Sequence, residues 1–197
     1  MTMHDHVSKV SSTCYFNIKR IASIRQNIDK EDTKTLVNSF VTSHLDYGNS
    51  LLYGINKKET DRLQLVQNAA ARVIDKKLKY DHITQTRKDL HLLPVIVRPE
   101  FKILTFTWKA LHNKAPVYLS NLLQKRKQTL NNVRNNDKNL LAMPYRKRAT
   151  KIGDRAFQNA ALKLWNKLPH QIQESETLNI FKKKLKTHYF KMHYPEP

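Results

Sequence analysis

Apolar residues recur at intervals of three and four along the first part of the chain. The first series consists of Val7, Val10, Cys14, Ile18, Ile21, Ile24 and Ile28. This spacing puts the side chains on one face of an α-helix, and it predicts a helix over residues 5–27. A second series follows an acidic segment, Asp29 to Asp32, that is typical of a helix N-terminus. Its helix should end near Tyr47, since Gly48 allows a break.

A third helix is predicted from Asn56, a typical capping residue, to about Lys77. Its inward positions are Leu63, Val66, Ala70 and Val73. Asp81 is a further candidate cap, for a short helix over residues 83–90 that the Leu93-Pro94 step should end. These patterns predict helices joined by brief connections.

The segment after Val95 has the broadest apolar surface of the chain. It carries Phe101, Leu104, Trp108 and Leu111 at helical spacing, so we expect a well-buried helix with Trp108 as a packing residue. Pro116 suits the first position of a short helix that follows. Residues 1–123 are therefore predicted to form an irregular all-α bundle.

Residues 124–151 differ in character, because basic residues stand among asparagines with Asp137 as the single acid. We interpret this segment as a basic connector. Residues 140–144 could form a short β-hairpin with residues 149–152, although Pro144 argues against a central strand.

Residues 152–197 are predicted to be a C-terminal helical segment packing on the bundle. Asp154 is a candidate cap for a helix that contains Trp165, a second expected packing residue, and that ends before Leu168-Pro169. A last helix should begin after Ser175 or Thr177. Its apolar side carries Leu178, Phe181, Leu185 and Phe190, and its other side carries Lys182, Lys183, Lys184 and Lys186.

Composition supports helices and indicates a polyanionic partner. Three glycines and seven prolines leave little turn chemistry for a hairpin-rich sheet. A formal charge of +20 on 197 residues causes self-repulsion that RNA or DNA would relieve. The single cysteine, Cys14, excludes a disulfide framework within the chain and fits a reducing compartment. Without a long apolar run, we expect an intracellular protein, nuclear or cytoplasmic, with no membrane partner.

Patterns for catalysis or metal binding are weak. The glycines are too scattered for a phosphate-binding loop. His4, Asp5 and His6, or His188 with His193, lie near the ends of the chain and lack further matched ligands. A metal-dependent nuclease would need several convergent carboxylates, which could come from Asp46, Asp61, Asp75, Asp81 and Asp154. Each has a simpler local role, such as capping a helix, stabilising the dipole in a first turn or pairing with neighbouring lysines, so we expect no catalytic residue, metal or cofactor.

Basic groups interleaved with aromatic residues suggest contact with nucleic acid, through phosphate neutralisation and base stacking. The candidate residues are Lys125, Arg126, Lys127, Arg134, Tyr145, Arg146, Lys147, Arg148, Lys151, Lys183 and Lys184. Tyr189 and Phe190 lie near the last two. Alternatively, the lysines are a solvated face and the phenylalanines are core anchors, which we favour for Phe181 and Phe190. Arg62 and Arg72 could also reach phosphate, although Asp75, one helical turn later, is an equal candidate partner for Arg72.

Two stretches, from His44 to Gly54 and from Asp61 to Ile74, resemble part of the polyprotein of jockey/CR1-like LINE retrotransposons. Further similar blocks follow in the same order along nearly the whole chain. They begin at Tyr80, His91, Phe101, Ala115, Gly153, Ala161 and Phe181. Many members of this family have a cysteine where this chain has Gly48, which suggests a packing or turn role for that position.

The resemblance implies a region downstream of the reverse-transcriptase palm. The chain has no adjacent pair of aspartates, whereas reverse transcriptases use such a pair to hold two metal ions. We therefore expect a noncatalytic fragment that contacts RNA or DNA largely independently of sequence. The alternative is a helical interaction module that docks on the missing polymerase region and has no nucleic-acid function of its own.

Overall fold

The computed structural model describes residues 2–124, 140–142 and 153–195. Within these ranges the chain is mainly helical and has no strand or sheet, which confirms the predicted all-α class. None of the described helices combines the length and apolar content needed to cross a bilayer. The chain divides into two compact units, Met1–Arg98 and Pro99–Pro197, so residues 99–123 group with the C-terminal helices.

The first unit contains five α-helices. They are α1 (Met3–Ile24), α2 (Lys30–Val37), α3 (Ser43–Asp46), α4 (Lys57–Ile74) and α5 (Thr84–Asp89). A π-helical segment, Asn38–Thr42, joins α2 to α3, and 3-10 turns lie at Asn49–Leu52 and Val95–Val97. The predicted cap is present at Asn56, whose side chain accepts a hydrogen bond from the N–H of Glu59. Asp29, in the acidic segment predicted to start a helix, caps α2 by accepting a hydrogen bond from the N–H of Asp32.

The core of the first unit lies between the predicted apolar faces of α1 and α4. Its fully buried residues include Val7, Cys14, Val41 and Val66. Burial raises the pKa of the Cys14 thiol to about 11. Gly48 adopts a left-handed conformation, φ 60°, at the predicted break after Tyr47, which fits the turn role inferred for it.

Two predicted helix caps were wrong. Helix α5 has no side-chain cap, since Asp81 instead accepts the backbone N–H of Leu78 at 2.7 Å inside the preceding turn. Helix α8 (Phe157–Trp165) begins after Ala156, also without a side-chain cap. Asp154 lies in a separate 3-10 turn, Gly153–Arg155, and pairs with Lys163 at 3.4 Å. In both cases an irregular turn separates the aspartate from the helix.

The second unit is built from α6 (Arg98–Leu111), α7 (Val117–Ser120), α8, α9 (His170–Gln173) and α10 (Leu178–His193). Of the two predicted start residues, Ser175 and Thr177, it is Thr177 that caps α10, because its hydroxyl accepts a hydrogen bond from the N–H of Ile180. Trp108 and Trp165 are buried, which confirms that they pack in the core.

Residues 140–142 are held within the second unit by hydrogen bonds to Asn166 and Gln124. The side chain of Asn166 accepts the N–H of Leu141 at 2.9 Å and donates to its carbonyl at 3.0 Å. The N–H of Ala142 donates to the carbonyl of Gln124 at 2.8 Å. These bonds hold Leu141 in the core, whereas the predicted hairpin partner, residues 149–152, lies outside the described residues.

A buried carboxylate joins the N-termini of α1 and α4. Glu59 is 4% exposed, and its two oxygens lie 2.9 Å from His4 Nδ1 and 3.1 Å from Arg62. The hydrogen bond with His4 is the main cause that holds the pKa of Glu59 below its ordinary value of 4.5, with help from the Arg62 charge. The unfolded chain consequently binds a proton here at a higher pH than the folded chain does.

Glu59→Gln is expected to change the acid sensitivity of the first unit. Stability from the Glu59 charge is present above the unfolded pKa, near 4.5, and is lost as pH falls through the lower folded value. The difference in denaturant midpoint between wild type and E59Q should thus be largest near neutral pH and become smaller below pH 4.5. Exposed Glu31, paired with Lys34, offers the control E31Q. A difference that stays constant down to about pH 3 would contradict the assignment.

Candidate nucleic-acid interface

Helix α10 is held in the second unit by one aromatic face. Phe181 is fully buried and stacks on Trp108 and Trp165, with ring centroids 6.0 and 5.9 Å apart. The hydroxyl of Tyr189 donates to Glu100 Oε2 at 3.0 Å, and the indole N–H of Trp108 donates to the carbonyl of Ser175 at 3.1 Å. These contacts fix the rotation of α10 about its axis.

The opposite face of α10 is cationic. Lys183, Lys184, Lys186 and Lys191 are all exposed, and Lys182 is half-buried beside them. The helix contains no Asp or Glu, so these charges have no carboxylate on their own element. From Lys182 to Lys191 the rise of an α-helix spans about 14 Å, which matches the axial length of about eight duplex phosphates.

The charge of the chain is concentrated in the second unit. Residues 1–98 contain 16 basic and ten acidic residues, whereas residues 99–197 contain 20 and six, so the second unit carries +14 of the formal +20. Lys184 donates to the carbonyl of Gln171 at 3.0 Å, which holds its ammonium beside α9. The lysines of α10 place several like charges on one helix, which favours the binding of a polyanion.

The structure places only two of the predicted contact residues, Lys183 and Lys184, and both lie on the cationic face of α10. The others lie outside the described residues: Lys125, Arg126, Lys127, Arg134, Tyr145, Arg146, Lys147, Arg148 and Lys151. Phe181 is a core anchor, as favoured, and Phe190 is half-buried.

Tyr189 cannot serve as the stacking platform that its position beside the lysines suggested. It is 5% exposed, because a spacing of four residues from Leu185 and eight from Phe181 puts it on the buried face. Conversely, Lys186 and Lys191 were not selected as contact residues, although both share the face of Lys183 and Lys184. The helical spacing within residues 178–193 is enough to assign Tyr189 to the buried face and Lys186 and Lys191 to the exposed face.

The candidate carboxylates of a nuclease do not assemble. Asp46 pairs with Arg98 at 2.8 Å, and Asp75 pairs with Lys30 at 2.7 Å. Arg72 therefore does not take Asp75 as its partner, and its guanidinium donates to the carbonyl of Asp81. Within the described ranges no three His, Cys, Asp or Glu side chains are grouped to hold a metal ion. The described carboxylates discussed above are therefore used in ion pairs and turns, and the exposed lysines of α10 are the groups available to bind an anion.

The cationic face of α10 can neutralise phosphates through its exposed lysines. Contacts of this type fix position and orientation without reading sequence. Comparisons with protein-family models, curated proteins and solved structures found no match for the chain.

Proposed function

We propose that this chain is a noncatalytic part of a non-LTR retrotransposon reverse-transcriptase protein that contacts RNA or DNA phosphates through basic surfaces. The observation that carries the binding proposal is the lysine face of α10, opposite a fixed aromatic core. The retroelement context is supported by the ordered blocks of similarity along the sequence. The absence of an Asp-Asp pair in the sequence supports a noncatalytic role.

Binding of this kind gains free energy from counterion release. Each phosphate neutralised by a lysine releases about one condensed cation, so the logarithm of the affinity falls linearly with the logarithm of the salt concentration. The α10 face would hold template RNA or target DNA beside a polymerase without selecting a sequence. Residues of the connector, notably Arg146, Lys147 and Arg148, would add further phosphate contacts.

Neutralising the α10 face should weaken binding to RNA and DNA. We would compare wild type with a variant in which Lys183, Lys184, Lys186 and Lys191 are glutamine, using labelled single-stranded RNA, single-stranded DNA and duplex DNA. Four lost contacts should reduce the salt slope by about three to four and the affinity at 0.1 M salt by up to about 1000-fold. A second variant, with Arg146, Lys147 and Arg148 as alanine, measures the contribution of the connector.

A matched control removes the same charge from the first unit. Lys9, Lys19, Lys57 and Lys58 are exposed there, and their replacement by glutamine should leave most of the affinity. Equal losses in the control and the α10 variant would indicate a nonspecific effect of net charge. If wild type binds none of the three probes at about 25 mM salt, the nucleic-acid role is rejected.

A second candidate is an interaction module that docks on the polymerase region of the same polyprotein. It is favoured by an apolar groove of about 510 Å³ between α1 and the α2–α3 segment, lined by Ile24, Leu36 and half-exposed Phe40 among others. An apolar surface of this kind promotes association. Salt-insensitive, weak nucleic-acid binding together with self-association would select this function over phosphate contact.

A further inference from the structure

A compact turn follows α4 in the first unit. The carboxylate of Asp81 accepts the N–H of Leu78 at 2.7 Å, and the N–H of Asp81 donates to the carbonyl of Leu78 at 3.2 Å. The guanidinium of Arg72 donates to the carbonyl of Asp81 at 3.2 Å, which ties the end of the turn back to α4. The backbone of residues 78–81 is therefore held in place before any ligand binds.

The turn presents an aromatic ring to solvent. Tyr80 is 88% exposed, the largest exposed fraction among the bulky apolar and aromatic side chains of the described residues. The ammonium of Lys79 lies 5.5 Å from the centroid of its ring, over one face. A ring with this exposure contributes little to the core and has an accessible π-face.

Three lysines precede this ring closely in the sequence. Lys76 and Lys79 are exposed, and Lys77 is half-buried between them. The two nearby acids are engaged elsewhere, since Asp75 pairs with Lys30 at 2.7 Å and Asp81 closes the turn. The lysines consequently keep a local excess of positive charge next to an exposed aromatic side chain.

We propose that this turn binds single-stranded RNA or DNA, with the Tyr80 ring stacked on an unpaired base and with Lys76 and Lys79 against the adjoining phosphates. The proposal rests on the proposed nucleic-acid function and adds a second site, in the other unit from α10. A tyrosine can stack on any base, so this contact is tolerant of sequence. Paired bases are hidden within a duplex, and the site should therefore prefer single strands.

The test compares Tyr80→Ala with Tyr80→Phe and with Tyr47→Ala, in the full chain. Tyr47 is 81% exposed, which makes it a matched aromatic control outside this turn. The probes are single strands of about 12 nucleotides, as RNA, as DNA and as an abasic strand that keeps the phosphates, together with duplex DNA. Loss of one stacked base should weaken binding of the RNA or DNA strand by about 5- to 100-fold.

Y80F and Y47A should bind every probe as wild type does, and Y80A should lose no affinity for the abasic strand or the duplex. Equal binding of the base-containing strands by wild type and Y80A would overturn the stacking site and leave the phosphate role of α10 intact. A loss by Y80A that is the same for the abasic strand would also overturn it. Failure of wild type to bind any probe would reject both proposals together.

Discussion

Replacing Phe181 with alanine is expected to lower the free energy of unfolding by about 3–5 kcal/mol. Phe181 is fully buried and lies between Trp108 and Trp165, so its removal deletes two stacked aromatic contacts and leaves a cavity. The indole of Trp108 cannot follow freely, because its N–H is bonded to the carbonyl of Ser175. The cavity should therefore collapse only partly.

Tryptophan fluorescence during denaturant unfolding measures this loss directly, because the two tryptophans of the chain are the two neighbours of Phe181. Ile180→Ala is the matched control, since Ile180 is adjacent on α10 and 42% exposed. We expect the control to change stability by less than about 1 kcal/mol. If F181A and I180A gave the same midpoint, the aromatic cluster would not be what fixes α10.

Local periodicity was sufficient to predict the main helices and their buried faces. The three- and four-residue spacing in α1, α4, α6 and α10 identified positions such as Val66, Trp108 and Phe181, all of them fully buried. Caps at Asn56 and Thr177 were also predictable, because a capping side chain bonds to a backbone N–H only three residues away.

The features that were missed depend on contacts distant in sequence. Within the π-helical segment Asn38–Thr42, the carbonyl of Phe40 accepts a hydrogen bond from the side chain of Asn17 in α1 at 2.9 Å. Asp75 was expected to pair within α4 or with its neighbours, but it pairs with Lys30 at the start of α2. No helical pattern encodes which distant side chain reaches such a group.

The candidate interface was predicted incompletely for a related reason. The density of lysines around residue 183 was visible in the sequence, but the division between buried Tyr189 and exposed Lys191 depends on which face of α10 meets Trp108 and Trp165. Similarly, basic residues beside an aromatic residue also occur at 76–80, where only the turn geometry distinguishes exposed Tyr80 from a core tyrosine.

Arg25 contacts residues distant in sequence, and its replacement is expected to lower the stability of the first unit substantially. It is 9% exposed, and its guanidinium donates to the carbonyls of Val73, Ile74 and Ile28 at 2.8–2.9 Å. Two of these carbonyls belong to the last turn of α4, where the negative end of the helix dipole lies, and that of Val73 also accepts a hydrogen bond from the N–H of Lys76 at 3.4 Å. Arg25 thus caps α4 from the end of α1.

Arg25→Met is expected to destabilise the first unit by about 2–4 kcal/mol, because it removes a charged donor that bonds three backbone carbonyls, including the buried carbonyl of Ile74. Arg25→Lys should lose less, since one ammonium keeps the charge but does not reproduce the planar fork. Arg20→Met, at an exposed position on the same helix, is the control and should change stability by about 0.5 kcal/mol or less.

The rate of Cys14 alkylation measures this effect in the unit where it occurs. Cys14 is fully buried with a pKa raised to about 11, so its thiol reacts through opening of the first unit. A loss of 2–4 kcal/mol should accelerate labelling by about 30- to 1000-fold, at 1.36 kcal/mol for each factor of ten. Unchanged labelling in R25M would show that the carbonyls find other partners, whereas equal acceleration in R20M would attribute the effect to lost charge on α1.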